Sequence, residues 1–328
     1  MSKQHITYFD FLRGIAILMV IGIHTYVASD FSSVDGTIRI ILRQFLNCAV
    51  PIFLALSAFF LGRKRLDSRE TIISFWKKQI PKVYIPCIIW SVPLFALTII
   101  GGGKSIVNEL VMMLVCGYSI YYFIALIIQY YLLLPLLQKY SKIMLVCSGI
   151  ISVVSIIIIT YLTSIKGVQL PLILYAGSFV TWFVFYMLGV YYSKYDREYS
   201  LKSVLWLIII GFALECFETY FLNTNYGGGV GIKLSSFIYS YGIILLVLSP
   251  KIQALYKDNH FTSFIVYVGK ISFGLYLTHC YVISVVGEIY SISSWLISFC
   301  VVSILTILLV MLSRKVLPQS INKYIGFL

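Results

Sequence analysis

Long, unbroken apolar runs separated by short polar stretches recur along the whole chain of 328 residues. The runs are rich in Ile, Leu, Val and aromatic residues. They lack the alternating polarity of a barrel strand. In a bilayer every backbone N–H and C=O must be paired within the protein, so such runs can only be helices. About ten reach the ~20 residues that a helix needs to cross a ~30 Å hydrocarbon core. They fall near 10–29, 38–61, 81–100, 118–137, 143–163, 171–193, 202–222, 232–249, 262–284 and 293–313. The stretch from Ile106 to Cys116 is apolar but short, and reads as a re-entrant or interfacial piece. The pattern predicts an all-α, polytopic membrane helix bundle, one domain over residues 1–328.

Composition supports a lipid-embedded chain. Hydrophobic residues make up 60% and charged residues only 11%, against about 25% charged in soluble domains. A net charge of +13 would suit a nucleic-acid binder, but the charges sit between the apolar runs, so no nucleic acid is expected as a partner. Their placement instead sets orientation. One set of loops carries Lys3, the cluster Arg63, Lys64, Arg65, Arg69, Lys77, Lys78 and Lys82, then Lys139, Lys142, Lys194, Arg197, Lys202, Lys251, Lys257, Arg314, Lys315 and Lys323. The opposite loops carry only Lys104, Lys166 and Lys233. Both termini are therefore expected in the cytoplasm. The first run holds Arg13 and His24 and lacks a small-x-small cleavage site, so it reads as a retained helix rather than a signal peptide. The seven cysteines show no metal-like spacing and read as packing residues. No metal is expected. Glycine runs at 101–103 and 227–229 read as flexible turns.

Ionisable residues inside spans are costly and mark candidate sites. Arg13 and His24 are eleven residues apart, within ~20° of whole helical turns, so they share a face about 16 Å apart along the axis. A long, phosphate-headed donor fits that spacing, its anion on Arg13 and its reactive end at His24. Arginine stays charged and forks onto phosphate. Histidine takes and returns a proton near neutrality. The bland reading is a snorkelling arginine and a packed histidine. In the ninth run Ser272, Tyr276 and His279 share a face, and His279 falls at a height near His24. They form either part of a reactive cluster or an interhelical hydrogen-bond network. Arg39 and Arg43 face the same membrane side as Glu215 and Glu218. Mutual neutralisation and an acceptor pocket are both open for these four. The basic loop from Arg63 to Lys82 either sets topology on anionic lipid or docks a polyanionic donor.

These residues, taken in order, resemble the acyltransferase-3 family of integral membrane O-acyltransferases. Phe9-Asp10-Phe11-Leu12-Arg13-Gly14 with His24 resembles its opening motif, and Pro51-Ile52-Phe53 through Ser57 its second-span motif. Tyr122-Phe123 with Tyr131 and Pro135 is similar to its aromatic stretch. Ser272 through Tyr276-Leu277-Thr278-His279 is similar to its late motif. The departures are Ala58 for the usual Gly after Ser57, Tyr122 for a common Trp, and Lys77, Lys78 and Lys82 where arginines are usual.

The resemblance implies transfer of an acyl group, commonly acetyl from cytoplasmic acetyl-CoA, to a hydroxyl of a cell-envelope polysaccharide or lipid-linked sugar. The stand-alone bacterial O-acetyltransferases of the cytoplasmic membrane are the nearest type. On this reading Arg13, Lys77, Lys78 and Lys82 hold the CoA phosphates. His24 acts as general base or carries the acetyl group. Tyr276 and His279 orient it or stabilise an oxyanion. Asp10, Ser57, Tyr122 and Ser272 support the site, and Arg39, Arg43, Glu215 and Glu218 shape the acceptor side. A homodimer is left open. The competing reading is a transporter or exporter of a small solute or lipid-linked sugar, although no internal repeat of the kind transporters often carry is visible.

Overall fold

The computed structural model describes residues 3–102, 105–195, 199–289 and 294–328. Gly103, Lys104 and Arg197, read above as loop residues, lie outside the described residues. All regular elements among the described residues are helical. In chain order they are α1 (Lys3–His24), α2 (Val34–Gln44), α3 (Ala49–Leu61), α4 (Arg69–Ile100), α5 (Ile106–Leu114), α6 (Tyr122–Lys139), α7 (Ser141–Thr160) and α8 (Leu172–Tyr175). There follow α9 (Phe183–Lys194), α10 (Leu201–Tyr226), α11 (Leu234–Val247), α12 (Pro250–Leu255), α13 (His260–Lys270), α14 (Ser272–Ile289), α15 (Trp295–Val316) and α16 (Gln319–Tyr324). A 3-10 turn at Phe45–Cys48 joins α2 to α3.

Among the described residues eight segments are long and apolar enough to cross a membrane. They account for eight of the ten expected spans. The other two, 171–193 and 232–249, fold as the 12-residue α9 and the 14-residue α11. The reason lies in their burial. Residues Phe185 through Tyr192 of α9 are all buried, and α11 is buried at Phe237, Tyr239, Ser240 and Ile244. A helix surrounded by protein need not match the thickness of the bilayer, since its ends are met by neighbouring chain. The ninth expected span, 262–284, breaks at Ile271 into α13 and α14, with exposed Lys270 ending α13. The short piece after residue 105 is the nine-residue α5.

Local signals set several boundaries. Ser68 and Thr71 form a capping box at the start of α4, and Asn259 and Thr262 form one for α13. Gly227 closes α10 in the left-handed conformation (φ 71°). Exposed apolar rows such as Ile150 and Ile157 on α7, Ile209 and Phe217 on α10, and Leu305 and Leu312 on α15 form the lipid-facing surface.

The helices that carry the site are drawn together by small residues. Lipid tails compete with apolar side chains, so membrane helices associate where small residues let backbones approach. A Cβ at Gly269 would lie 1.8 Å from the Asp10 carbonyl oxygen, and one at Gly14 would lie 2.1 Å from the Ile265 carbonyl oxygen. The α1–α13 crossing is thus a backbone contact. Gly189 of α9 meets α3 in the same way, since a Cβ there would lie 2.2 Å from the Ala55 carbonyl oxygen. Behind α14, Trp90 donates its indole N–H to the Ile325 carbonyl (2.9 Å) and stacks on buried Phe327. Helix α1 therefore sits between α3, α13 and α14.

Candidate active site

One face of α1 lines an internal cavity of about 320 Å³, within the size range of small-molecule sites. Arg13, Val20, Ile23 and His24 of α1 all reach it. The spacing expected from the sequence is thus realised, with both ionisable residues on one passage rather than on lipid. Opposite α1 the wall is built by Val50, Pro51, Phe53 and Ser57 of α3, Tyr122, Phe123, Ile127 and Tyr131 of α6, and Ser272, Phe273 and Tyr276 of α14.

At one end Arg13 donates to Asp10 Oδ1 (2.9 Å) and lies over the Phe60 ring (4.9 Å). The pairing fixes the guanidinium at the mouth while leaving part of it open. Val83 of α4 is on the wall, but Lys77, Lys78 and Lys82, expected at the donor end, do not line the cavity. Lys77, Lys78 and Lys82 are exposed. Desolvation holds the Lys64 ammonium below its usual range, and the neighbouring charges of Lys82 and Lys78 add to the effect. Crowding of like charge of this kind favours a multivalent anion.

At the other end His24 is the last residue of α1, its side chain open to the cavity. The His279 ring lies 5.3 Å away, centroid to centroid. His279 is fully buried, and its Nδ1 sits 2.8 Å from the Tyr276 carbonyl oxygen and 3.1 Å from that of Leu275. Carbonyls only accept, so Nδ1 carries a proton, and in the neutral ring Nε2 keeps a lone pair. That Nε2 is buried and has no partner among the described residues. Tyr276 donates its hydroxyl to the Ile120 carbonyl (2.5 Å), and its ring lies 6.2 Å from that of His279. Neither neighbour offers a free hydrogen-bond donor in this arrangement. The geometry suits orientation of His24 better than stabilisation of an oxyanion.

A polar cluster borders the same end. Arg43 lines the cavity and donates to Asn47 Oδ1 (2.6 Å). Asn47 donates in turn to Glu215 Oε1 (2.6 Å) and to Gln44 Oε1 (3.0 Å). Lys233 is fully buried, donates to Gln44 Oε1 (2.7 Å), and pairs with Glu215 (3.4 Å). The expected neutralisation of Arg39 and Arg43 by Glu215 and Glu218 takes a different form. Arg39 pairs with Asp35, Glu218 accepts from the Ser235 N–H and hydroxyl, and Glu215 takes Lys233. Lys233 stands among the loop charges in the sequence, but the fold turns it inward at the start of α11. Of the four residues expected on the acceptor side, Arg43 reaches the cavity, while Arg39, Glu215 and Glu218 do not line it. The reading from sequence also passed over Asn47, Trp182, Ser236 and Ser240, which complete this end of the wall. Asn47, a polar residue within the second apolar run, was the available signal.

The fold and cavity define a polytopic membrane protein that carries a histidine and an arginine at opposite ends of an internal chamber. The acyltransferase-domain family model matches residues 6–315, and the chain belongs to this family, so it is a multi-pass membrane acyltransferase. It is 24% identical over 286 residues to YfiQ of Bacillus subtilis (strain 168), a membrane-bound acyltransferase by provisional assignment. That likeness covers 81% of this chain and 75% of the relative. No solved structure matches the chain.

Proposed function

We propose that this protein moves an acetyl or other short acyl group from cytoplasmic acyl-CoA to a hydroxyl of an envelope polysaccharide or lipid-linked sugar, in a bacterial cytoplasmic membrane with both termini inside. The observation that carries the reading is that Arg13 and His24 line one cavity, about 16 Å apart along α1. The donor's phosphates rest at Arg13 and the Lys77, Lys78 and Lys82 stretch. Its flexible arm lies along the cavity, and the thioester reaches His24.

His24 takes the proton of the acceptor hydroxyl as that oxygen attacks the thioester carbonyl. The C–S bond then breaks, and the proton passes from His24 to the departing CoA thiolate. One thioester becomes one ester, and the imidazole ends as it began. The buried Nε2 of His279 supports this assignment, because it can accept from a His24 N–H and so leave the other His24 nitrogen facing the acceptor. An acyl-carrying His24 is the alternative. It would leave label on the protein after incubation with radiolabelled acetyl-CoA and no acceptor, whereas a general base leaves none.

The decisive assay supplies radiolabelled acetyl-CoA and envelope glycan or lipid extract to the purified protein in liposomes. Alkali-labile label on the glycan is expected, with release of one CoA thiol per ester. Absence of both transfer and thiol release rules the reading out. Replacing Lys77, Lys78 and Lys82 together by Gln is expected to raise KM for acetyl-CoA roughly tenfold with kcat within about twofold. Exposed charge contacts are worth about 0.5 kcal/mol each, and roughly 1.4 kcal/mol is a factor of ten. An unchanged KM would remove these lysines from the donor site.

A further inference from the structure

The two guanidiniums on the cavity differ in one respect. Arg13 has a carboxylate, Asp10, at 2.9 Å. Arg43 is more deeply buried, at 7% exposure, and makes no ion pair among the described residues. Its hydrogen bond goes to the neutral amide of Asn47, and its guanidinium carbon lies 6.0 Å from the centroid of the Tyr26 ring. Of the nearby carboxylates, Glu218 accepts from Ser235, and Glu215 gives its Oε1 to Lys233 and Asn47 while its Oε2 stays buried without a partner among the described residues, so one carboxylate serves two buried cations, Lys233 and Arg43. A buried cation is stable only when paired. Arginine has five N–H donors in a planar fork, and Asn47 takes one of them. The fork matches a carboxylate or phosphate.

The surroundings narrow the class of ligand. Ser236, Ser240, Asn47 and Trp182 share this end of the cavity with Arg43. The Ser240 hydroxyl is buried and has no partner among the described residues. Hydroxyls, an amide and an aromatic ring are the groups that hold a sugar. The donor's phosphates are assigned to the far end, at Arg13. We infer that Arg43 binds an anionic group, carboxylate or phosphate, on the acceptor sugar, so that the acceptor is an acidic sugar or a phosphate-bearing lipid-linked sugar. The inference rests on the acyl-transfer reading for the word acceptor, but the anion site itself does not.

The test uses thermal stabilisation of the purified full-length protein, titrated with glucuronate, glucose 1-phosphate or methyl glucoside. The anionic sugars are expected to raise the melting temperature, and the neutral glucoside is expected to do so only at concentrations at least tenfold higher. Preference for glucuronate assigns an acidic sugar, and preference for glucose 1-phosphate assigns the phosphate of a lipid carrier. Arg43→Gln is expected to weaken the anion effect at least tenfold, while Arg39→Gln leaves it within twofold. If Arg43→Gln does not fold, Arg43→Lys replaces it, keeping the charge without the fork; a severalfold weakening is then expected. Three results would overturn the inference: no stabilisation of monodisperse wild type by either anion, equal stabilisation by the glucoside, or an anion effect that persists in the Arg43 variants. Equal loss of transfer to neutral and anionic acceptors in Arg43→Gln would also overturn it, because that is the signature of an oxyanion donor. Anion stabilisation without any transfer of labelled acetyl would leave this site standing and sink the enzymatic reading instead.

Discussion

A His24→Ala protein is expected to lose acyl transfer by about 10²–10⁴-fold, the range over which general acid–base groups act. Its level in the membrane and its melting temperature are expected to stay close to wild type. The separation of the two effects follows from where the side chain lies. His24 ends α1 and opens onto the cavity rather than filling a packed core. Removing it enlarges a space that is already open and leaves the buried contacts of Phe9, Ala16 and Ile17 on the same helix in place. The partner imidazole does not depend on it either, since the His279 proton is held by backbone carbonyls of its own helix. Label transfer measured beside an immunoblot of the membrane fraction checks both halves. Full activity in the variant would place the base elsewhere. Equal loss of protein and activity would make His24 a structural residue.

Gly269→Leu is expected to have the largest effect on the fold, with little monodisperse protein recovered after extraction. The site of a Cβ at Gly269 lies 1.8 Å from the Asp10 carbonyl oxygen, far inside contact distance. The obstacle is backbone, which cannot rotate aside as a long side chain can. A leucine there must push α13 away from α1. Asp10 and the Arg13 that it holds sit on the displaced stretch, so even a surviving bundle would present a shifted guanidinium. Size-exclusion profiles and melting temperatures of Gly269→Ala and Gly269→Leu should show a graded loss. A leucine variant as stable as wild type would mean that the two helices are not in backbone contact.

The α-helical membrane bundle was legible because lipid imposes one rule on every span, and long apolar runs obey it visibly. The alignment of Arg13 with His24 was legible for a similar reason, since helical periodicity alone places residues eleven apart on one face. What stayed hidden depended on neighbours distant in sequence. Nothing local in Phe183 to Lys194 marks a short helix sunk in protein rather than a full span. Its burial is decided by α3, whose Ala55 backbone meets Gly189. Lys233 read as one more loop charge because its partners, Gln44 and Glu215, lie 189 and 18 residues away. Gly14 belongs to the first motif, whereas Gly269 lies just before the late one and carries no signal of its own. Only the crossing of α1 and α13 shows that they act as a pair, each relieving a clash with the opposite backbone.

The lining of the chamber between its two charged ends bears on the membrane itself. Val20 lies between Arg13 and His24 on α1, and Ile23, Val50, Phe53, Phe123 and Ile127 contribute further apolar surface to the wall. Apolar surface of this kind resists wetting and so disfavours ions. A thin, flexible organic chain can still lie along such a wall. On the proposed reading, polar groups at the two ends with greasy walls between them would let the protein work from both faces of a bilayer without dissipating the proton and sodium gradients that the cell maintains across it.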